Sequence, residues 1–495
     1  MKVHSKRSVL RPRVTTDGEG LVSHAGTSLL SELADRSLLT GGLSAAMAGC
    51  GIRWRKHDPG YVLTHLAVAI ADGGDCLSDM DVIRQQTKLF GPVASQATAW
   101  RAVEAVTAKE LRGITAAINT ARAVVWAGGR IEPSELTFDF DATLVNAYSE
   151  KQDAKPTYKK GFGFHPFAVW LDETSEPLAA MLRPGNAGAN NAADHITLFD
   201  AAVAALPVKY GAGHYSGEDP ATVTYPVLVR ADSAGASHAF VNVIIDANAQ
   251  YSIGYQVDER VRDALNLVQE EHWVPALERD GTRRDGAHVT ELSDLVDLDR
   301  WGPGCRLICR RERPHPGAQL TIFDTINGYR HTCFITNTPP GNDETTSDET
   351  TSDADPNTVG LTETAAAAID RAINGPRNQD IATLELRHRG HARVEDRIRN
   401  WKDCGLTNFP FEDYVRNQAW LAVTLTATAL LAWTQLVCLT GPLARAEPKT
   451  IRYRLLHVAA RLATHAGEHV MRIDRTWPWR HDLANAYTRL RHALP

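Results

Sequence analysis

The chain is predicted to fold as an α/β protein: a mixed-sheet core, interrupted by a β-rich insertion and flanked by helical N-terminal and C-terminal regions. Two changes of hydrophobic period carry this expectation. Up to about residue 130, apolar residues recur at helical spacing in alanine-rich segments. From 136, runs of strand length take over, and from about 381 the helical pattern returns. The third observation is size: 495 residues, 43% of them hydrophobic, exceed one ordinary domain and can bury substantial cores. The expected divisions are 1–130 (helical), 131–260 with 381–440 (core), 261–380 (insertion) and 441–495 (basic helices).

In the first region Ser78 and Asp79 cap DMDVIRQQTKLFG, and Ser95 caps QATAWRAVEAV. Joined across Gly91-Pro92, the two resemble a helix-turn-helix with Gln96, Thr98, Ala99 and Arg101 near the start of the second helix, where base edges would be met. The same punctuation suits a plain helical bundle. Beyond it, LTFDFDATLV, KGFGFHPFAVWL and EPLAAMLRPG read as an antiparallel meander, and NAADHITLFDAAVAAL as an amphipathic helix. TYPVLVRADS, apolar on both faces, reads as a buried strand. SHAFVNVIIDAN follows as a helix and AQYSIGYQV as a strand. Three strands, helix, strand, helix, strand is the order of a ribonuclease-H-like core, in which the first and fourth strands are neighbours.

The insertion holds the strands CRLICRRER, LTIFDTING and YRHTCFITN and an acidic loop at 341–357, where DETTS occurs twice in a row. Such a composition has no means of packing a core and is expected to be disordered. Seven cysteines without a regular framework, and no signal-peptide pattern, point to a reducing cytoplasm. Cys305, Cys309, His315, His331 and Cys333 match no compact zinc-finger spacing and are expected to take ordinary core and surface roles. The uncharged stretch Asn417 to Ala444 is long enough to span a bilayer, but with five threonines, Gln418 and Gln435 it reads as a buried core helix. A net charge of −6 excludes a uniformly basic coat for nucleic acid. The charges are nevertheless sorted: residues 1–13 carry five Lys or Arg and no acid, and 444–495 carry ten against four.

Three acidic residues in different settings dominate the functional reading. Asp141 lies in the first strand, Asp232 ends the buried strand, and Glu395 sits in the helical stretch HRGHARVEDRIRNWK. Carboxylates delivered by two strand ends and one helix are what a two-metal phosphoryl-transfer site requires. Asp139, two residues before Asp141, points to the same side of the strand and competes with it as first ligand. Asp141 is preferred for its place near the strand end. Asp232 could instead cap its turn, and Glu395 could pair with Arg399 at i+4. Arg393, Arg397, Arg399 and Lys402 are expected to bind phosphates of the flanking DNA.

On these residues the chain resembles a DDE transposase of bacterial insertion sequences, of the group called the IS thirteen-eighty family. The resemblance runs from FDFDATLV through GFGFHPF, LRPGNAGANNAADH and VLVRADSAGAS to RGHARVEDRIRNWKDCGLTNFPF and NQAWLAVTLTATALLAW. It implies catalytic, metal-binding Asp141, Asp232 and Glu395 on a ribonuclease-H-like fold with a β-strand insertion. It also implies magnesium-dependent cleavage and strand transfer at terminal inverted repeats, with two ions and manganese able to substitute. Related transposases often carry Tyr seven and Arg four residues before the catalytic Glu and Lys seven after it; here these are His388, His391 and Lys402. An imidazolium could replace part of the lost phosphate contact.

One cation would activate water to nick a strand, and the freed 3′ hydroxyl would be the next nucleophile. The expected partners are double-stranded DNA at the element ends and target, and a second copy of the chain in a synaptic homodimer, with no membrane. The expected location is the cytoplasm, at the nucleoid. The rivals are a structure-specific nuclease on the same core, a catalytically silent DNA-binding regulator, and a glycosidase. The sequence favours none of them: all three acids are present, the flanking regions are large, and one acid sits among arginines.

Overall fold

The computed structural model describes residues 13–51, 56–314, 328–339, 381–465 and 467–495. Most of the basic N-terminal arm, the body of LTIFDTING, His315 and the acidic loop lie outside the described residues. Among the described residues, nine strands form one mixed sheet. In chain order they are β1 (Leu136–Ala142), β2 (Phe167–Leu171), β3 (Pro177–Met181), β4 (Val227–Ala231), β5 (Gln250–Tyr255), β6 (Val274–Leu277), β7 (Arg283–Glu291), β8 (Arg306–Glu312) and β9 (Arg330–Thr336). Across the sheet they run β6-β7-β8-β9-β5-β4-β1-β2-β3.

The half that holds the carboxylates has the order 3-2-1-4-5. There β1, β2 and β3 are an antiparallel meander, β4 is parallel to β1, and β5 is parallel to β4. Helices Ala192–Ala205 and His238–Asp246 make the two crossovers, as parallel neighbours demand. The alternation in LTFDF decides which face meets which layer. Phe138 packs near Phe199 of the first crossover helix and Phe140 edge-on to Phe240 of the second, with ring centroids 5.3 Å apart for the latter pair. The other face carries Asp139, Trp170 and Arg230 at one level. Helix Arg393–Trp401 covers it, Trp401 meeting Trp170 edge-on at 5.8 Å.

Three sequence expectations need correction. KGFGFHPFAVWL is not one strand: Phe162–Phe164 leaves the main sheet for a small one with Val145–Asn146 and Lys155–Pro156, and β2 begins at Phe167. The described insertion strands prolong the core sheet, β9 pairing antiparallel with β5. The C-terminal region is not wholly helical: Ala460–His465 and Glu468–Ile473 form a hairpin that pairs with Leu21–Val22, and one helix, Arg480–Ala493, follows. The first helix of the helix-turn-helix candidate is broken into Leu77–Met80, Asp81–Arg84 and Thr87–Phe90. The break lies where Gln86 leaves helical dihedrals and its side-chain amide donates to Ser23 at 2.7 Å.

Tyr414–Trp433 is a core helix. It and the residues to Cys438 are long and apolar enough to cross a membrane, yet 78% of the apolar window is buried inside the fold. The N-terminal helices Pro59–Ala71 and Ala108–Gly129 are among those that cover it. Glu176, completely buried, fastens these regions together. It accepts from Arg122 Nε (2.8 Å), Trp126 Nε1 (2.8 Å), Thr174 Oγ1 (2.9 Å) and Trp433 Nε1 (2.7 Å).

Candidate active site

The parallel register of β1 and β4 sets Phe140 beside Ala231, so the next residues, Asp141 and Asp232, are neighbours at the same end of the sheet. Asp232 also accepts from Ala234 N at 2.9 Å, the capping role available to any aspartate at a turn, and its side chain remains exposed. Glu395 is exposed in the first turn of helix Arg393–Trp401 and makes no hydrogen bond or ion pair among the described residues. Arg399, its expected i+4 partner, pairs with Asp396 and Glu447 instead.

The Asp141 carboxyl feels the charges of both other acids. Burial pushes the Asp141 carboxyl up to about 6, and the charges of Asp232 and Glu395 push the same way, while His391 and the Ala142 amide oppose them. Asp141 Oδ1 accepts from that amide at 2.7 Å. Lys402 joins the group: burial holds its ammonium below the ordinary lysine value, the charge of Lys159 adds to that, and Asp141 opposes it.

Asp139 has a different environment. It is completely buried, takes a bidentate pair from Arg230 (2.8 Å each), and accepts from Arg397 Nη1 (3.2 Å), with His391 Nδ1 3.0 Å away. Burial opposes its ionisation, but Arg230 and His391 prevail and hold the carboxyl below its usual value. Asp172, just past β2, shares Arg230 (2.7 Å) and binds Arg393 and Arg397. Burial is again outweighed, by Arg393, Arg230 and Arg397 together, so Asp172 is held well below the carboxylate range. Two aspartates and three arginines thus form a buried ion network directly beneath the helix that presents Glu395.

The glycine of RGHARVED fits this network. A Cβ on Gly390 would lie 2.5 Å from Arg230 Nη1, a guanidinium already fixed by two carboxylates and by the carbonyl of Arg387 at 2.8 Å. Breaking a buried pair from one side costs roughly 3–5 kcal/mol. Arg230→Ala is therefore expected to lower stability by about that amount and to loosen Glu395. Denaturant titration of wild type and variant measures it, and a loss below about 1 kcal/mol would show the network to be dispensable.

Among the sequence-assigned phosphate contacts, Arg397 is corrected: it is buried on Asp139 and Asp172. Arg393 is likewise committed to Asp172. Arg399 is exposed and Lys402 half-buried beside Asp141. His388 cannot supply an imidazolium. Burial, with His391 and Arg230 adding to it, pushes it down to about 3, and it stacks on Phe334 at 4.3 Å with Nδ1 2.9 Å from Ser252 Oγ. Gln96, Thr98 and Arg101 lie far along the chain on helix Gln96–Glu104, with Gln96 and Arg101 exposed and Arg101 donating to Thr98 Oγ1 at 3.2 Å. Ala99 is buried.

Sequence reasoning missed Arg230, Asp172 and Lys159. The first had a signal: an arginine in the otherwise apolar VLVRA needs a buried acid, and the adjacent strand offers Asp139.

The first and fourth strands of the mixed sheet thus end in adjacent aspartates, and Glu395 lies on the later helix that covers the sheet. The chain belongs to the family described as transposase DDE domain group 1, whose profile matches residues 3–349 and 373–495. Among solved structures it is similar to a piggyBac transposase, determined by cryo-electron microscopy as a synaptic complex with hairpin DNA. The identity is 8% and the TM-score 0.36, over 86% of this chain and 77% of that one. No curated protein matches it.

Proposed function

We propose that the chain is an insertion-sequence transposase, of the IS thirteen-eighty group, that cuts DNA at the element's terminal inverted repeats and joins the freed end to target DNA. The single observation that supports this best is the register that sets Asp141 beside Asp232 at one end of the sheet, in a chain that belongs to a DDE transposase family. The strand order 3-2-1-4-5, with β2 antiparallel, supports reading the core as ribonuclease-H-like.

The donor set suits magnesium. Three carboxylates offer only hard oxygens, and Asp141, raised chiefly by burial, also feels the charges of Asp232 and Glu395. Their ligand atoms are not all within 4.8 Å of one another, as they are in the groups His24–Asp72–His457 and Asp75–Cys76–Asp79. Asp141, Asp232 and Glu395 would hold such cations, two of them in a site that clamps both the attacking and the leaving oxygen. When bound, such a pair supplies Lewis acidity to the attacking and leaving oxygens of an in-line displacement.

The protein's own contribution is to hold the ligands. Asp141 and Asp232 are fixed by the β1–β4 register, Glu395 by the ion network below it. Lys402 places a positive charge beside them, where a phosphate would lie. Duplex DNA, a second protomer to pair two ends, and a place at the nucleoid follow from this reading.

The test is cleavage of a duplex carrying the inverted repeat that flanks the gene, with magnesium. Asp141→Ala, Asp232→Ala and Glu395→Ala are each expected to lower the rate by at least about 10³-fold, the several kcal/mol that metal-borne charge stabilisation supplies. Binding at low salt should persist. Near-normal cleavage by any one variant would remove that residue from the site.

A further inference from the structure

We propose that the turn Thr157–Gly161 grips the DNA strand beside the scissile bond, with Lys159 and Lys160 on backbone phosphates and Tyr158 stacked on a base. The proposal rests on reading the carboxylates as a phosphoryl-transfer site. Its first support is position. The small sheet that carries the turn begins at Val145, three residues beyond β1, at the end of the strand that presents Asp141. The Lys159 charge is felt by Lys402, which in turn feels Asp141.

The second support is availability. Tyr158 is 71% exposed, and Lys155, Lys159 and Lys160 are all exposed. Among the described residues, lysine ion pairs are made by Lys209 and Lys449, and by none of these three. Lys159 Nζ lies over the Tyr158 ring at 5.7 Å, and an exposed ring beside cations that have no carboxylate partner is a combination with which proteins hold a nucleic-acid strand, phosphates on the cations and a base on the ring.

The third support is rigidity, which explains two motifs that the carboxylates leave unused. The turn is closed by Thr157 N donating to Gly161 O (2.8 Å), Lys160 N to Thr157 O (3.0 Å) and Gly161 N to the Thr157 hydroxyl (3.0 Å). Behind it lies LRPGN. A Cβ on Gly185 would come 2.4 Å from Lys155 O and 2.6 Å from Gly163 O, so only glycine lets that loop seat against the hairpin. Arg183 of the same motif is buried, donates to His165 O at 3.1 Å, and lies over the Phe167 ring at 4.5 Å. The exposed tip is thus held on a packed base, the arrangement a positioning element requires.

The experiment compares full-length wild type, Lys159→Ala/Lys160→Ala, Tyr158→Ala, Tyr158→Phe and Asp141→Ala on the inverted-repeat duplex. Binding is titrated over a range of salt without divalent cation, and cleavage is measured with magnesium. Losing two phosphate contacts should flatten the slope of log K against log salt by about 1.8. Tyr158→Ala should leave the slope intact but slow cleavage about tenfold or more, the loss expected when a stacked base goes free, with Tyr158→Phe restoring it. Melting temperatures should not move, because these side chains are exposed. An unchanged slope and rate in the lysine and tyrosine variants, with Asp141→Ala inactive, would overturn the grip and leave the enzymatic reading standing. Wild type that binds but never cuts would overturn the enzymatic reading, and the slope comparison would still judge the turn.

Discussion

Asp141→Asn is expected to abolish cleavage and, in the absence of divalent cations, to make the folded protein more stable at neutral pH. The carboxyl titrates near 6 in the folded chain against an ordinary value of 3.8. The folded state therefore binds the proton more tightly than the unfolded state, and stability falls as pH rises between those two values. Above about 6 the ionised group costs the fold about 2–3 kcal/mol; below about 3.8 both states are protonated and the cost vanishes. The neutral amide escapes this cost. Melting curves in chelator should show the variant above wild type by about 2–3 °C at pH 7, with the gap closing towards pH 4. Magnesium should reverse the order, because a cation that binds only the folded wild type stabilises it by mass action. Equal melting at pH 7 in chelator would mean that the fold does not penalise the ionised Asp141 carboxylate.

Deleting residues 1–130 is expected to unfold the remainder, not merely to remove DNA recognition. The helical start of the chain reads as a separable unit, yet helices Pro59–Ala71 and Ala108–Gly129 lie against the apolar helix Tyr414–Trp433. Without them that helix presents Leu, Val and Trp side chains to water. The deletion also removes Arg122 and Trp126 from the buried Glu176, leaving a carboxylate whose charge is no longer paired. That loss alone costs about 3–5 kcal/mol, a large part of the stability of an ordinary domain. Circular dichroism and thermal melting of 131–495 provide the check. A cooperative transition in the fragment would show that the core stands without its N-terminal cover.

The core strands were legible because each carries its own period: LTFDF, PVLVRA and YSIGY are bounded by turn residues and separated by amphipathic helices. The pairing of the end aspartates followed from the order of those elements. The arginines around Glu395 were misread because a helix of alternating charge looks solvated from sequence. Their acids, Asp139 and Asp172, are more than two hundred residues away and meet them only in the fold. The N-terminal region was read as a possible DNA reader from its punctuation alone. Capping residues mark where helices begin, but not which face is covered. Ala99 and Trp100 illustrate this: one is buried, and the other lies 4.4 Å from Phe411 of a distant segment.

The ion network beneath Glu395 also fixes an order of events in synthesis. Arg230 reaches Asp139 from 91 residues on, but His391 and Arg397 arrive only 252 and 258 residues after it. A ribosome releases the aspartate-bearing strands first, and domains generally fold as units from the N-terminal side during synthesis. The emerging chain therefore holds both aspartates in a sheet whose charges are still incompletely balanced. The same helix that completes the balance delivers the third carboxylate. A product interrupted before residue 390 would lack Arg393, Arg397 and the core helix Tyr414–Trp433 together with Glu395, and so is expected not to fold into a partial enzyme at all.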